Sequence, residues 1–210
     1  EYIEFGGFPE IILEDNKANK IKILNEYFNL IIYRDIIERY KITNTSLIRW
    51  LIKSLISSFS KEYSVHKAYL TLKSKGVRVS KNTLYAYLSM LEDSMFVFFL
   101  PKFKSSIRKR EFSINKAYLS DVGFAKISET GVDRGKKMEN IVFLELKRRD
   151  LSEFFYWQDL NNEIDFVIKQ SGKIKQLMQV CFDIEDYDTK KREVRALLKG
   201  SEELKCNNLI

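Results

Sequence analysis

Between Val65 and Glu92 the apolar positions fall into two helical stripes with a short break between them. Val65, Ala68, Tyr69 and Leu72 recur at i, i+3, i+4 and i+7. Leu84, Tyr87, Leu88 and Leu91 repeat the spacing, so each set lines one face of a helix. Lys73, Lys75 and Gly76 give the first helix a basic last turn and a stop. Ser80 opens the second, because its hydroxyl can accept from an orphan N–H of the first turn. Lys81, Asn82, Tyr85 and Ser89 are left on the outward face. The apolar run Met95 to Leu100, closed by Pro101, reads as a strand, and Asn115 to Leu119 as another. The basic stretch KFKSSIRKR lies between them. Helix, turn, helix, strand, basic loop, strand is the order of a winged helix. In such modules the second helix can enter the major groove and the loop can touch phosphate. The same fold also serves as a plain packing spacer, and the pattern does not choose between the two.

Residues 1–60 read as helical. Gly6-Gly7 is a turn, and Pro9 suits the first turn of the helix that follows. Ile21, Leu24, Tyr27, Phe28, Ile31 and Ile32 stripe a helix over Lys20–Tyr40. Arg34, Asp35, Glu38 and Arg39 on its tail can pair for about 0.2–0.5 kcal/mol each. Leu47 to Phe59 is a third amphipathic helix, carrying Trp50. Core packing is the default for this whole segment.

From Ser120 on, helices and strands alternate, which favours an α/β unit. Lys137 to Arg149 is a helix with Ile141, Phe143, Leu144 and Leu146 apolar, and Phe154 to Trp157 a strand. Glu163 to Ile168 alternates strictly, which sets Glu163 and Asp165 opposite Ile164, Phe166 and Ile168. After a turn at Ser171-Gly172, Gln176 to Phe182 reads as a strand with Gln179 and Cys181 on one face. Asp188-Thr189 caps a last helix, Lys190 to Leu198. The expected organisation is thus a helical segment (1–60), a winged-helix domain (61–119) and an α/β domain (120–210), an α+β or α/β fold class.

A chain of 210 residues, 45% apolar and 31% charged, can bury a real core. No stretch resembles a signal peptide and no apolar run reaches bilayer length, so the expected place is the cytoplasm, with no membrane partner. Cys181 and Cys206 lack the spacing of a disulfide framework or zinc site. There is no Gly-Lys-Ser/Thr element, so nucleotide binding by a phosphate loop is excluded for these residues. His66, the sole histidine, has no partners for a catalytic triad. The absence of an initiator Met, and the strand-like ending CNNLI, suggest a piece of a longer protein.

The net charge of +7 is unevenly placed. Lys61, Lys67, Lys73, Lys75, Arg78, Lys81, Lys102, Lys104, Arg108, Lys109, Arg110 and Lys116 face only Glu62, Glu92, Asp93 and Glu111 within residues 61–116. DNA is the natural partner, because neutralised phosphates release counterions. The bland alternative is a solvated lysine-rich face. The candidate nucleic-acid contacts are Arg78, Lys81, Asn82 and Tyr85 on the second helix and its approach, the tyrosine for stacking, with Lys104, Arg108, Lys109 and Arg110 in the basic stretch.

The words GGFPE, YRDIIERY, VSKNTLYAYLSMLEDS, YLSDVGF, MENIVFLELKRR, NNEIDFVI, QVCFDI and DTKKREVRAL occur in this order. Together they resemble the C-terminal two-thirds of a prokaryotic, chiefly archaeal, family of AAA-type ATPases; the DUF4143 group is closely similar. The resemblance implies an ATP-binding domain upstream of Glu1, a winged helix, and a terminal domain of the restriction-endonuclease, PD-(D/E)xK, fold. It implies the chain's own ATPase domain as a partner, beside the DNA that the charge suggests; further copies of the chain are a partner only if it is an assembly module. Such a site takes an Asp from one strand, Glu or Gln, any residue, then Lys from the next, and often a helix Glu. Carboxylates hold Mg²⁺ through oxygen. The metal lowers the pKa of bound water, and the lysine steadies charge at the reacting centre.

Carried over by position, Glu139 is the helix acid, Asp165 the strand acid and Gln179 the first residue of the last element, with Asp165 and Glu139 as Mg²⁺ ligands. Cys181 stands where the lysine belongs. It has no cation to offer and is a soft ligand, poor for Mg²⁺. Lys147, Lys169, Lys173 and Lys175 are candidate substitutes. The expectation is therefore a degenerate nuclease fold kept for binding nucleic acid. A Mg²⁺-dependent nuclease with a relocated lysine and a protein assembly module are the alternatives, and enzyme activity is left open. The bland readings are a helix-start acid for Glu139 and a solvated strand face for Glu163 and Asp165, although Asp is a poor strand former.

Overall fold

A computed structural model of the chain describes residues 1–111, 113–127, 133–149 and 153–210. It contains two compact units, each mixing helix with a small three-stranded sheet, an α+β arrangement. The first comprises Glu1–Phe99 and Ala117–Val132, the second Leu100–Lys116 and Asp133–Ile210.

In the first unit α1 (Tyr2–Phe5) and α2 (Pro9–Leu13) flank the Gly6-Gly7 turn, with Pro9 at the helix start as predicted. Asn16 caps α3 (Lys17–Leu30), its side chain accepting from the N–H groups of Ala18 and Asn19. The single helix expected to Tyr40 changes instead to a π-helical segment, Ile31–Glu38. The wider turn brings Ile32, Ile36 and Ile37 all into the core, while Ile21 from the predicted stripe is exposed. Asn44 caps α4 (Thr45–Ser57), which buries Leu47, Ile48, Leu51, Ile52, Leu55 and Ile56. Each such side chain is worth roughly 1.5–3 kcal/mol before the entropy of ordering it.

The two amphipathic helices and the short connection between them form as read. Ser64 caps α5 (Val65–Ser74) and Ser80 caps α6 (Lys81–Asp93), accepting from Thr83 N–H at 3.0 Å. Gly76, at φ 75°, ends α5 in a Schellman motif. Its N–H bonds the Lys73 carbonyl, and Val77 N–H reaches back to Leu72, both at 3.0 Å. The strand after α6 starts later than its apolar run suggests. Met95 has φ 56° and is exposed, and Phe96 N–H returns to the Leu91 carbonyl, so both residues finish the helix. The sheet order is β1 (Lys61–Glu62), β3 (Lys116–Leu119), β2 (Val97–Leu100).

A single carboxylate ties the ends of this unit together. Asp121 accepts from Gly7 N–H at 2.8 Å and from Gly123 N–H at 2.6 Å, just before the 3₁₀ turn Val122–Ile127. Gly6 sits at φ 82°, and a Cβ there would lie 1.7 Å from Asp121 Oδ1.

In the second unit the basic stretch is not a plain loop; it contains the short helix α7 (Ile107–Glu111). Then follow α8 (Arg134–Arg149), β4 (Glu153–Gln158), β5 (Glu163–Gln170), β6 (Lys173–Met178) and α9 (Tyr187–Leu204). The strands form an antiparallel sheet in the order β4-β5-β6. Asp159 closes the β4–β5 turn by accepting from the N–H groups of Asn161 and Asn162. β6 ends at Met178 rather than Phe182. There Leu177 forms an isolated parallel bridge with Leu209, and Ile210 N–H donates to the Leu177 carbonyl at 2.9 Å.

α9 starts earlier and runs further than predicted. Asp186, not Asp188, is its cap, accepting from Thr189 N–H at 2.6 Å. Gly200 does not stop it; the missing Cβ makes room for Ile164, whose Cδ1 would lie 2.1 Å from that atom. Phe155, Trp157, Ile164, Val167, Leu177 and Cys206 make the core of the sheet and helix. Among the described residues no helix is long and apolar enough to cross a membrane.

Candidate functional site

One lysine organises the polar interior of the second unit. Lys116, which ends the Leu100–Lys116 stretch, is 1% exposed. Its Nζ lies 2.9 Å from Glu139 Oε1, 3.1 Å from Asp165 Oδ1 and 2.6 Å from Glu163 Oε1. α8 supplies Glu139, and β5 supplies Glu163 and Asp165 from neighbouring positions on one side of the strand. Burial by itself pushes the ammonium towards neutrality. The three carboxylates outweigh it and hold the Lys116 pKa above the ordinary lysine range. With all four groups ionised, three negative charges face one positive charge.

The neighbours of Asp165 fix it further. Its Oδ2 accepts from Val180 N–H at 3.0 Å, and its own N–H donates to Gln179 Oε1 at 3.3 Å. Gln179 Nε2 in turn donates to Glu193 Oε2 of α9 at 2.6 Å. Gln179 therefore braces the strand that carries Asp165, and Lys116 is not among its side-chain partners. Asn140, fully buried on α8, lies beside Glu139 in the chain.

Of the expected residues, Glu139 and Asp165 converge and Cys181 does not join them. Its thiol donates to the Asp183 carbonyl at 3.0 Å and brings no cation. None of the four substitute lysines takes its place. Lys169 pairs with Glu153 at 2.9 Å, and Lys147, Lys173 and Lys175 are exposed. The ammonium comes instead from Lys116, which the charge census had placed on the basic surface. A single lysine inside the apolar strand word NKAYL was the available signal, since such a cation is buried only when paired. Glu163 is likewise no mere solvated strand residue. Its side chain is 38% exposed, yet one oxygen is committed to Lys116. Among the described residues no group of three His, Cys, Asp or Glu side chains is arranged to hold a metal ion by itself.

The nucleic-acid candidates divide by unit. Arg78, Lys81, Asn82 and Tyr85 are exposed in the first, alongside Lys67, Lys73 and Lys75. Lys81 Nζ lies 5.6 Å from the Tyr69 ring centroid. In the second unit Arg108 and Lys109 are exposed on α7 and Lys104 is half-buried. Arg110 turns inward. Its guanidinium stacks 4.4 Å from the Phe155 ring centroid, and one Nη donates to the Lys104 carbonyl.

Over residues 1–133 the chain matches the family described as Domain of unknown function (DUF8612), and it belongs to that family. This corrects the resemblance drawn from the sequence words. The family is not the DUF4143 group, and the AAA-type parent with its ATP-binding domain is set aside. Two of those words, GGFPE and YLSDVGF, meet through Asp121 and the Gly6-Gly7 turn, so packing explains them without a nucleotide. The uncharacterized protein MJ1544 of Methanocaldococcus jannaschii is 37% identical over 212 residues, covering 100% of this chain and 47% of that protein. An uncharacterized protein of Haemophilus influenzae is 32% identical over 187 residues, covering 88% of this chain and 46% of its own length. The chain thus spans about half the length of these relatives. No solved structure matches it.

Proposed function

We propose that this chain binds nucleic acid through the outward face of α6, and that its second unit is a restriction-endonuclease-like site for metal-assisted phosphodiester hydrolysis. Lys116 takes the role of the missing motif lysine. The observation that carries the reading is its ammonium, within 2.9 Å of Glu139 and 3.1 Å of Asp165. The helix acid, the strand acid and a cation meet at one point, although the cation arrives from another part of the chain.

The donor set fits a hard divalent ion. The cluster offers carboxylate oxygens, and its two excess negative charges equal the charge of Mg²⁺. Mg²⁺ commonly takes only one or two protein carboxylates and keeps several waters, so a complete protein cage is not required. Asp165 and Glu139 would hold it. When bound, the ion supplies Lewis acidity and an acidified water. The chain's own residues do the rest. Lys116 stabilises negative charge at the reacting phosphoryl group. The Val180 N–H and the Gln179 side chain keep Asp165 in place, as supporting hydrogen bonds do for metal-ligating groups.

In the first unit α5 and α6 with the β1-β3-β2 sheet support a winged-helix reading. Lys81, Asn82 and Tyr85 face outward for base edges and stacking, with Arg78 beside them for phosphate. DNA in the cytoplasm is the proposed partner.

One observation favours a second reading, binding without cleavage. Lys116 is 1% exposed and already satisfies all three carboxylates, so it can serve as a permanent internal counter-ion. Supercoiled plasmid incubated with Mg²⁺ or Mn²⁺ separates the two. Nicking that disappears in Asp165→Ala supports hydrolysis. Salt-dependent binding without nicking supports the second reading, and nicking that survives Asp165→Ala removes the site from the account.

A further inference from the structure

We infer that Glu163 is a positioning residue of this site, holding the Lys116 ammonium from the solvent side and held in its turn by Gln158. The inference deepens the hydrolytic reading of the cluster and rests on it for its catalytic meaning.

Exposure ranks the partners of Lys116. The Asp165 and Glu139 side chains are 7% and 12% exposed, and Glu163 is 38% exposed. Glu163 is therefore the member of the cluster that water and a phosphate group meet first. Its two oxygens have separate duties. Oε1 accepts from Lys116 at 2.6 Å, and Oε2 accepts from Gln158 Nε2 at 3.2 Å. Gln158 and Glu163 face each other across the β4–β5 ladder, so the brace is built into the strand register.

A third residue sets the orientation of that brace. Lys102 Nζ donates to Gln158 Oε1 at 2.7 Å. Ammonium is a donor only, so the amide oxygen must face Lys102 and the amide nitrogen must face Glu163. Lys102, Gln158, Glu163 and Lys116 thus form an ordered chain from the partly exposed edge of the unit to its buried cation. Lys116 has three donor hydrogens and three carboxylate partners. Removing the Glu163 charge frees one hydrogen to turn and loosens the ammonium where substrate would arrive. A phosphodiester oxygen reaching Lys116 would meet an ammonium held by Glu163 until that moment.

The test is amine acylation of the intact chain with acetic anhydride at fixed pH, read by mass spectrometry at Lys116 against Lys169 as internal reference. In the wild type Lys116 should acylate far more slowly than Lys169. Glu163→Gln should raise Lys116 labelling several-fold, and Glu163→Asp should return it towards the wild-type value. Wild-type labelling in Glu163→Gln overturns the inference. Should Glu163→Gln fail to fold, Gln158→Leu leaves the carboxylate and removes its brace; it too should raise Lys116 labelling, and no rise overturns the inference. Where plasmid nicking is present, Glu163→Gln should lower kcat with little change in KM. A wild type that never nicks overturns the hydrolytic reading, and the labelling result still decides the role of Glu163.

Discussion

Lys116 Nζ reaches Asp165 Oδ1 at 3.1 Å across 49 residues of sequence. Both side chains are almost wholly buried, 1% and 7% exposed, so each charge needs partners inside; Glu139 and Glu163 share the ammonium with Asp165. Lys116→Met should therefore leave a group of unpaired buried carboxylates and cost about 3–5 kcal/mol. Urea unfolding followed by circular dichroism measures it. The double variant Lys116→Met with Asp165→Asn should recover part of the loss, because the two residues share one interaction.

The pH dependence of the same lysine has a defined sign. Its folded pKa lies above the unfolded value, so the folded state keeps the proton longer. The stability it contributes is fully present below about pH 10.4, the ordinary lysine value. It falls as pH rises from there towards the higher folded pKa. The gap in unfolding free energy between wild type and Lys116→Met should be flat from neutral pH to about pH 10 and narrow above it. A gap that widens above that pH would mean that the lysine is not held as an ammonium.

Nucleic-acid binding should depend on the first unit's outward face. Lys81→Ala and Arg78→Ala should each weaken DNA binding and reduce the slope of log K against log salt by about 1. Tyr85→Ala should weaken single-stranded binding by roughly 1–3 kcal/mol if a base stacks there. Fluorescence anisotropy at several salt concentrations measures both. Arg110→Ala should behave differently. Its guanidinium lies over Phe155, so the change should lower stability and leave the salt slope nearly unaltered.

The Gly6-Gly7 turn should tolerate no side chain. Gly6→Ala combines a positive φ with a Cβ 1.7 Å from Asp121 Oδ1. It should cost at least about 2 kcal/mol through backbone strain and the displaced carboxylate. Asp121→Ala should also lower the melting temperature, by removing the acceptor that serves both Gly7 and Gly123. Differential scanning calorimetry would register both changes.

The local signals in the chain were readable where they act over one or two helical turns. Ser80, Gly76 and Pro9 each carry a cap or stop that depends on near neighbours alone, and each falls where its chemistry places it. Gly200 is a packing notch that no local pattern announces, because what it accommodates, Ile164, lies 36 residues away. Met95 belongs by hydrophobicity to the strand after it, but its positive φ makes it the end of α6. The site follows the same division. Glu139 and Asp165 come from the family resemblance, and only Asp165 also stands out by itself, as a carboxylate in a strand. Lys116 did not stand out, because charge counting treats every lysine as a surface charge. The two acids and the lysine become one site only through tertiary packing.

The central claim is that Lys116 completes a metal-assisted hydrolytic site with Asp165 and Glu139. Its most direct measurement is the single-turnover cleavage rate of supercoiled DNA in Mn²⁺ or Mg²⁺, comparing the wild-type chain with a folded Lys116 variant such as Lys116→Arg or Lys116→Met. The account predicts a metal-dependent wild-type rate that falls by about 10²-fold or more without the lysine ammonium, the loss expected when one group that stabilises transition-state charge is removed. A wild-type rate that is absent, or one that is unchanged in a folded Lys116→Met variant, would contradict it.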